Sequence, residues 1–368
     1  MSGLASAPRP VRLAATLAWA AAAGALAAAL HVPLPWMIGP LLATALGCML
    51  GWPLQASVRL RNAGLWWLGT ALGLYFTPPV LAVVARLAPA IALGVAWALL
   101  LGHGFYRFLV WTQGGAKQLD PTDHVSAYFA GAIGGASEMA ILAERHHGRV
   151  DRVAAAHSLR VIIVVVLIPF ALLALDVHGA DLAAPITRQV DWPALAGLLA
   201  ATAGGCALMW RLRTPNPWVL GALAVSAALA ATGHAGSALP RGLLNAGQLA
   251  IGVMLGSRFT PAFMRAAPRW LGAVAVGTLG MIAVSAGFAW ALAWALGLHP
   301  ATLVLATSPG GIAEMAITAS VLGLGVPVVT AFHVVRYVAV LVLTGPLWRR
   351  QARRLEAIRG AASSSSSP

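Results

Sequence analysis

Twelve apolar segments, most of roughly 18–25 residues, run along this chain, and a helix of that length crosses about 30 Å of hydrocarbon. A backbone inside lipid must satisfy its own hydrogen bonds, which a helix does residue by residue. Composition points the same way. Of 368 residues, 60% are hydrophobic and 9% charged, whereas a soluble domain carries about 25% charged residues. The sequence predicts an all-α polytopic membrane protein, with the lipid bilayer as its first partner.

The two halves of the chain repeat one another. GGASEMAILA at Gly134–Ala143 returns as GGIAEMAITA at Gly310–Ala319, and HSLR at His157–Arg160 returns as HVVR at His333–Arg336, both 176 residues on. PWMIGPLLAT at Pro35–Thr44 answers PWVLGALAVS at Pro217–Ser226, an offset of 182. Asn62, Gly64, Gly69, Gly73 and Phe76-Thr77-Pro78 answer Asn245, Gly247, Gly252, Gly256 and Phe259-Thr260-Pro261, an offset of 183. The fall in offset places about seven extra residues in the polar loop Thr112–His124. A repeat this long is a duplicated membrane domain rather than a solenoid unit.

The boundaries are residues 1–12 as an N-terminal flank, 13–175 and 192–348 as the two membrane repeats, 176–191 as their connecting loop, and 349–368 as a basic, disordered tail. Arg9 and Arg12 before an alanine-rich stretch resemble a signal peptide. The similar segment Trp192–Trp210, at the matching place of the second half, favours a retained spanning helix.

Each half holds six apolar segments. If all cross, the halves are parallel. If the fifth of each, near 124–145 and 301–323, dips in and returns, five cross and the halves are inverted. Loop arginine and lysine, which favour the cytosolic side, decide between these. With twelve crossings and a cytosolic N-terminus, 13 lie inside and 9 outside. With re-entrant fifth segments, 19 lie inside and 3 (Arg86, Arg188, Arg241) outside; Arg160 and Arg336 lie within the membrane either way. The sequence therefore predicts two inverted repeats of about five spanning helices plus one re-entrant or broken helix each. It places them as a multi-pass protein of a bacterial cytoplasmic (inner) membrane, with both termini cytosolic. The formal charge of +14 is then that of cytosolic loops and tail, and no direct nucleic-acid binding is expected.

Each copy of the motif sets one glutamate in an apolar, glycine-broken segment. An ionisable residue there is costly and marks a functional site by default. Gly134-Gly135 and Gly310-Gly311 weaken a helix and permit tight turns, and Pro309 strengthens the second break by removing a donor. A half-helix that starts after the glycines carries Glu138 or Glu314 in its first turn, where the positive dipole end favours the carboxylate and burial opposes it. Such a carboxyl suits a proton or a cation. His157 and Arg160, and likewise His333 and Arg336, share a helix face three residues apart. Their spacing from the glutamates suits a hairpin that brings Arg and Glu to one depth as an ion pair, either functional or simply fixing the hairpin.

Asn62 and Asn245 in the third segments either coordinate a substrate or ion, or hydrogen-bond between helices. The Gly69/Gly73 and Gly252/Gly256 pairs allow close helix packing. Cys48 and Cys206 lie in apolar segments and suggest neither a disulfide nor a zinc site. The remaining histidines form no metal-ligand spacing. No catalytic residue, metal ligand set or cofactor is expected.

The duplicated PW-x-x-G segment, the N-x-G…G-x-x-x-G-x-x-F-T-P stretch and the GG-x-x-E-M-A…H-x-x-R block resemble the AbrB-type bacterial membrane protein family, across roughly residues 13–348. Members are labelled AbrB family regulators or ammonia monooxygenases. A monooxygenase would need a metal or flavin site, and no GxGxxG loop or ordered ligand set is visible. The duplicated broken-helix plan is similar to that of cation–proton antiporters and bile-acid-type symporters, a likeness at the level of fold. The duplicated plan and its buried glutamates point to an inner-membrane secondary transporter or transporter-like protein, and no visible motif supports an enzyme. Its proton- or cation-linked site would lie between the two hairpins and take an unknown small molecule or ion. A membrane-embedded sensor that influences gene expression indirectly is the alternative, and a membrane monooxygenase a minor one. Assembly as a homo-oligomer is compatible with either.

Overall fold

The computed structural model of the protein describes residues 8–115, 119–177, 179, 189–261 and 268–364. Most of the connecting loop 176–191, residues 1–7 of the N-terminal flank and residues 365–368 of the tail lie outside this set. Among the described residues helix makes up 79% and no strand occurs.

The first half contributes α1 (Arg9–Ala29), α2 (Pro35–Met49), α3 (Val58–Gly73), α4 (Pro78–Arg86), α5 (Ala88–Thr112), α6 (Pro121–Gly131), α7 (Ala136–Arg145) and α8 (Val150–Ala174). The second contributes α9 (Trp192–Arg211), α10 (Pro217–Ala231), α11 (Arg241–Gly256), α12 (Pro268–Leu296), α13 (Pro300–Thr307), α14 (Ile312–Val321) and α15 (Val326–Ser364).

Six of these, α1, α5, α8, α9, α12 and α15, are long and apolar enough to cross a membrane; α3 and α4, bent by 90° at Leu74–Thr77, make a seventh if taken together. The protein is therefore a multi-pass membrane protein in a lipid bilayer. Large apolar side chains such as Leu100, Trp290 and Trp294 stand exposed on its outer helices, as lipid contact requires. The sequence predicts about five crossing helices per half, and three per half reach that length. The second and third segments are helices of only 15 or 16 residues, about 22–24 Å long. Punctuation shortens them. Gly51, at φ 77°, and Trp52-Pro53 follow α2, and Thr77-Pro78-Pro79 follows α3.

The helices sort into two bodies. The first three segments of each half form one, with the halves exchanged: α2 packs on α11, and α10 on α3. The glycine pairs make this possible. A methyl on Gly69 would stand 2.6 Å from the Val219 carbonyl oxygen, and one on Gly252 2.5 Å from that of Met37. Gly64 and Gly247 meet each other where α3 crosses α11, so a methyl on Gly64 would stand 2.7 Å from the Gly247 carbonyl oxygen. The second body holds α5–α8 and α12–α15. Few contacts join the two. Among them are hydrogen bonds from Arg258 to the Ser158 hydroxyl (3.0 Å) and between the Tyr75 and Ser320 hydroxyls (3.2 Å).

The last helix continues past Trp348 to Ser364. Ala352 and Leu355, three apart on one face, pack on the cluster around Trp348 and carry the helix onward.

Candidate functional site

In each half the fifth segment is broken as its glycines suggest. α6 stops at Gly131, residues 132–135 are non-helical with Ala132 and Gly135 extended, and α7 starts at Ala136. α13 stops at Thr307, residues 308–311 run extended, and α14 starts at Ile312.

Both pieces of each segment return to one side. At the start of α6, the Asp123 carboxylate takes a 2.9 Å hydrogen bond from Arg152, and the Ser126 hydroxyl accepts the Arg149 N–H at 2.8 Å. Those partners lie just beyond the end of α7. In the second copy, the Thr302 hydroxyl at the start of α13 accepts the N–H of Gly325, just beyond α14. Each broken segment is thus a hairpin whose mouth is closed by polar contacts and whose tip carries the two glycines. The mouth of the first hairpin lies at the N-terminal end of α8. That of the second lies just past its C-terminal end, where the Gly179 N–H bonds to the Leu322 carbonyl at 3.1 Å.

The glycines serve space rather than turning. None of Gly134, Gly135, Gly310 and Gly311 has a positive φ. A methyl on Gly135 or Gly311 would instead run into the carboxylate of Glu138 or Glu314, and one on Gly134 or Gly310 into Met139 or Met315. Each glutamate folds back over the N-cap three residues before it, and that of Glu314 takes its own main-chain N–H. This is the place at a helix N-terminus where a carboxylate meets unpaired N–H groups and the positive dipole end. The motif G-G-x-x-E-M is therefore one packing unit.

The expected Glu–Arg pairs do not form. Among the described residues the ion pairs are those of Asp123 with Arg149 and Arg152. Arg160 donates instead to the carbonyls of Ala130 (3.3 Å) and Ala132 (3.1 Å), and Arg336 to those of Ser308 (2.5 Å) and Gly310 (2.6 Å). The reason lies in the break itself. A helix that stops in a dry interior leaves its last carbonyls unpaired at its negative end, and a guanidinium supplies both donors and charge there.

The histidines hold the arginines in place. His157 Nε2 is 2.9 Å from the Phe129 carbonyl oxygen, and His333 Nε2 is 2.8 Å from that of Leu305. In each, Nδ1 lies 2.8 Å from the neighbouring arginine's Nη2. A carbonyl only accepts and a guanidinium only donates, so each imidazole is neutral with its proton on Nε2. His157 is 1% exposed and His333 0%, so both rings are enclosed.

The two tips face one another across a cavity of about 420 Å³, within the ordinary range of ligand pockets. Glu138, Glu314, Arg160, Arg336, His333 and Asn62 all line it, whereas Asn245 is not among its walls. The remaining wall comes from the other body: Arg61 and Leu65 of α3, the α9–α10 turn at Trp210 and Asn216, and Met254 and Arg258 at the end of α11. Arg61 and Arg258 stand close enough to act electrostatically on the Glu314 carboxylate. Tyr337 of α15 lies against Gly135 and Glu138.

The sequence missed Arg61, Arg258, Ser137 and Tyr337. Internal repetition picks out residues present twice, and the positions matching Arg61 and Arg258 hold Leu244 and Tyr75. Both arginines also pass for ordinary loop cations. The adjacency of Arg61 to the repeated Asn62, and of Arg258 to the repeated Phe-Thr-Pro, was the available signal.

Residues 36–352 match the family described as transition state regulatory protein AbrB. The chain belongs to the AbrB family. Its similarity to two family relatives is spread along the whole length. It is 26% identical over 363 residues to "Uncharacterized protein YhjN" of Bacillus subtilis (strain 168), covering 90% of this chain and 91% of the relative. It is 27% identical over 327 residues to "Putative regulator AbrB" of Escherichia coli (strain K12), covering 86% and 90%. Among the described residues no three His, Cys, Asp or Glu side chains gather as a metal-binding group.

Proposed function

We propose that this AbrB-family protein is a secondary transporter of a bacterial inner membrane. Its two hairpins would enter from opposite faces and carry a proton- or cation-linked site where their tips meet. The opposed mouths support the inverted arrangement, because α8, whose two ends mark them, is 25 residues or roughly 37 Å long. That length exceeds the hydrocarbon thickness. The hairpins require broken helices at mid-membrane, which are tolerated where they line a cavity.

The observation that carries the proposal is a difference in symmetry. The cavity floor is duplicated: Ile133–Glu138 with Pro309–Glu314, and Arg160 with Arg336. The wall from the other body is not. Arg61, Asn62 and Leu65 line it but their counterparts Leu244, Asn245 and Gln248 do not; Met254, Leu255 and Arg258 line it but Ala71, Leu72 and Tyr75 do not. A two-fold floor under a one-sided wall is what one state of an alternating-access pair looks like. Movement of one body against the other would exchange the walls while the floor stays. Glu138 and Glu314 are the proton or cation carriers in this scheme. Both termini lie on the side of the arginine-rich loops.

The test uses proteoliposomes with an imposed pH gradient, an internal pH-sensitive dye and a panel of small solutes. Glu138→Gln and Glu314→Gln should each reduce solute-driven proton movement while the protein stays folded and inserted. Unchanged movement in the double variant refutes the role. A sensor is favoured by one feature, the continuity of α15 from His333 to the arginine-rich end at Ser364. Truncation after Trp348 separates the two: a transporter keeps its flux, and a sensor loses its output.

A further inference from the structure

We infer that the cavity takes a small organic anion, a carboxylate, and that Arg61 and Arg258 are the residues that select it. This rests on the site proposed above and names its substrate class.

Four arginines line the cavity against two glutamates, so its lining is net positive even with both carboxylates ionised. The two pairs of arginines play different parts. Arg160 and Arg336 are 2% and 5% exposed and direct their terminal nitrogens at the broken helices. Their charge still reaches the cavity, and the Nε of each is buried without a hydrogen-bond partner. Arg61 and Arg258 are half-buried and donate to neutral groups, the Asn62 amide oxygen at 3.3 Å and the Ser158 hydroxyl at 3.0 Å. Among the described residues neither has a carboxylate within ion-pair distance. Guanidinium groups in that condition suit a carboxylate, which takes two parallel charge-assisted bonds from one fork.

The backbone adds to the same field. The N-terminal turns of α7 and α14, at Ala136-Ser137 and Ile312-Ala313, open into the cavity and present their positive dipole ends. The glutamates offset this field only in part, because each folds onto its own helix over Gly135 or Gly311 and the lining holds two more arginines than carboxylates. A cationic solute would face four arginines to reach them.

The selecting charges stand on one wall only. From the opposite side, the matching positions offer Leu244 and Tyr75. The anion is thus held more tightly in the state described here than in its mirror state.

The experiment is a thermal-shift titration of the purified full-length protein with lactate, succinate and citrate, and with methylammonium as the cation. At least one carboxylate should raise the melting temperature, and methylammonium should not. Arg61→Gln and Arg258→Gln should each weaken that binding by about tenfold, the scale of one lost charge-assisted hydrogen bond. Arg61→Lys and Arg258→Lys should retain more of it. Melting of each variant without solute reports its folding. The proposal is overturned if methylammonium stabilises and the carboxylates do not, if none of the three carboxylates has an effect, or if the double glutamine variant binds unchanged. Uptake of the labelled carboxylate into proteoliposomes is the separate arm. Arginine-dependent binding without uptake removes the transport function and keeps the anion site; uptake indifferent to both arginines removes the anion site.

Discussion

The two hairpins share a motif, a break and a hydrogen-bonded histidine–arginine pair, yet they sit in different surroundings. In the second, Ile312, Ala313 and the whole run from Met315 to Ala319 are buried. In the first, only Met139, Ala140 and Ala143 are, while Ser137, Ile141, Glu144 and Arg145 are exposed. Arg336 bonds to the carbonyls of Ser308 and Gly310, within the break, whereas Arg160 bonds to those of Ala130 and Ala132, so only the Ser308 and Ala132 contacts match in the repeat. Pro309 stiffens the second break, and Ile133 stands in its place in the first. Duplication gave both hairpins the same chemistry. Packing then made one of them fixed and left the other closer to water.

That contrast can be broken most forcefully at the arginines. Arg336→Ala strands two buried carbonyls and the His333 Nδ1, and each unsatisfied group costs about 1–3 kcal/mol. It should lower the melting temperature of the purified protein more than any other single change discussed here. Arg160→Ala should do the same to a smaller extent, because its hairpin is the less enclosed of the two. Equal losses would mean that the two caps are equivalent despite their geometry.

Next in size are the glycines over which the glutamates fold. Gly311→Ala and Gly135→Ala both force the carboxylate aside, with an overpacking cost of about 1–3 kcal/mol. The effect should be larger at Gly311, whose helix is enclosed, than at Gly135, whose helix has an open face. Comparing the two melting temperatures checks this. Solute binding should suffer in both.

A smaller effect distinguishes the mouths. Half-buried His146 stacks on Phe129 with ring centroids 5.7 Å apart, and burial, then Arg349 and His147, hold its pKa below the ordinary value. The unfolded chain therefore binds that proton more readily than the folded one below about pH 6.5. The stability that His146 contributes is present above that pH and is lost as pH falls. His146→Phe should flatten the melting temperature between pH 5 and 7. Leu322, at the matching place of the second hairpin, has nothing to titrate.

How far the sequence reached follows from the same residues. Repetition exposed Glu138 and Glu314, the glycine breaks and the His-x-x-Arg pairs, because duplication preserves what both halves need. It did not reveal the arginines' partners. A buried arginine three residues from a histidine looks like the mate of a nearby glutamate, and the carbonyls freed by a broken helix leave no mark in the sequence. The cavity wall escaped for the opposite reason, since Arg61 and Arg258 occur once. Segments two and three end as helices at Met49 and Gly73, a few residues before their apolar runs do.

The most direct measurement concerns the side from which each hairpin enters. Cys48 and Cys206 are buried and free, and replacing them leaves a background for single cysteines at His147 and at Val321, both exposed near the two mouths. Intact cells are treated with a membrane-impermeant thiol reagent before and after permeabilisation. Opposed hairpins predict that Val321→Cys reacts in intact cells and His147→Cys only after permeabilisation. Reaction of both from the same side would contradict them.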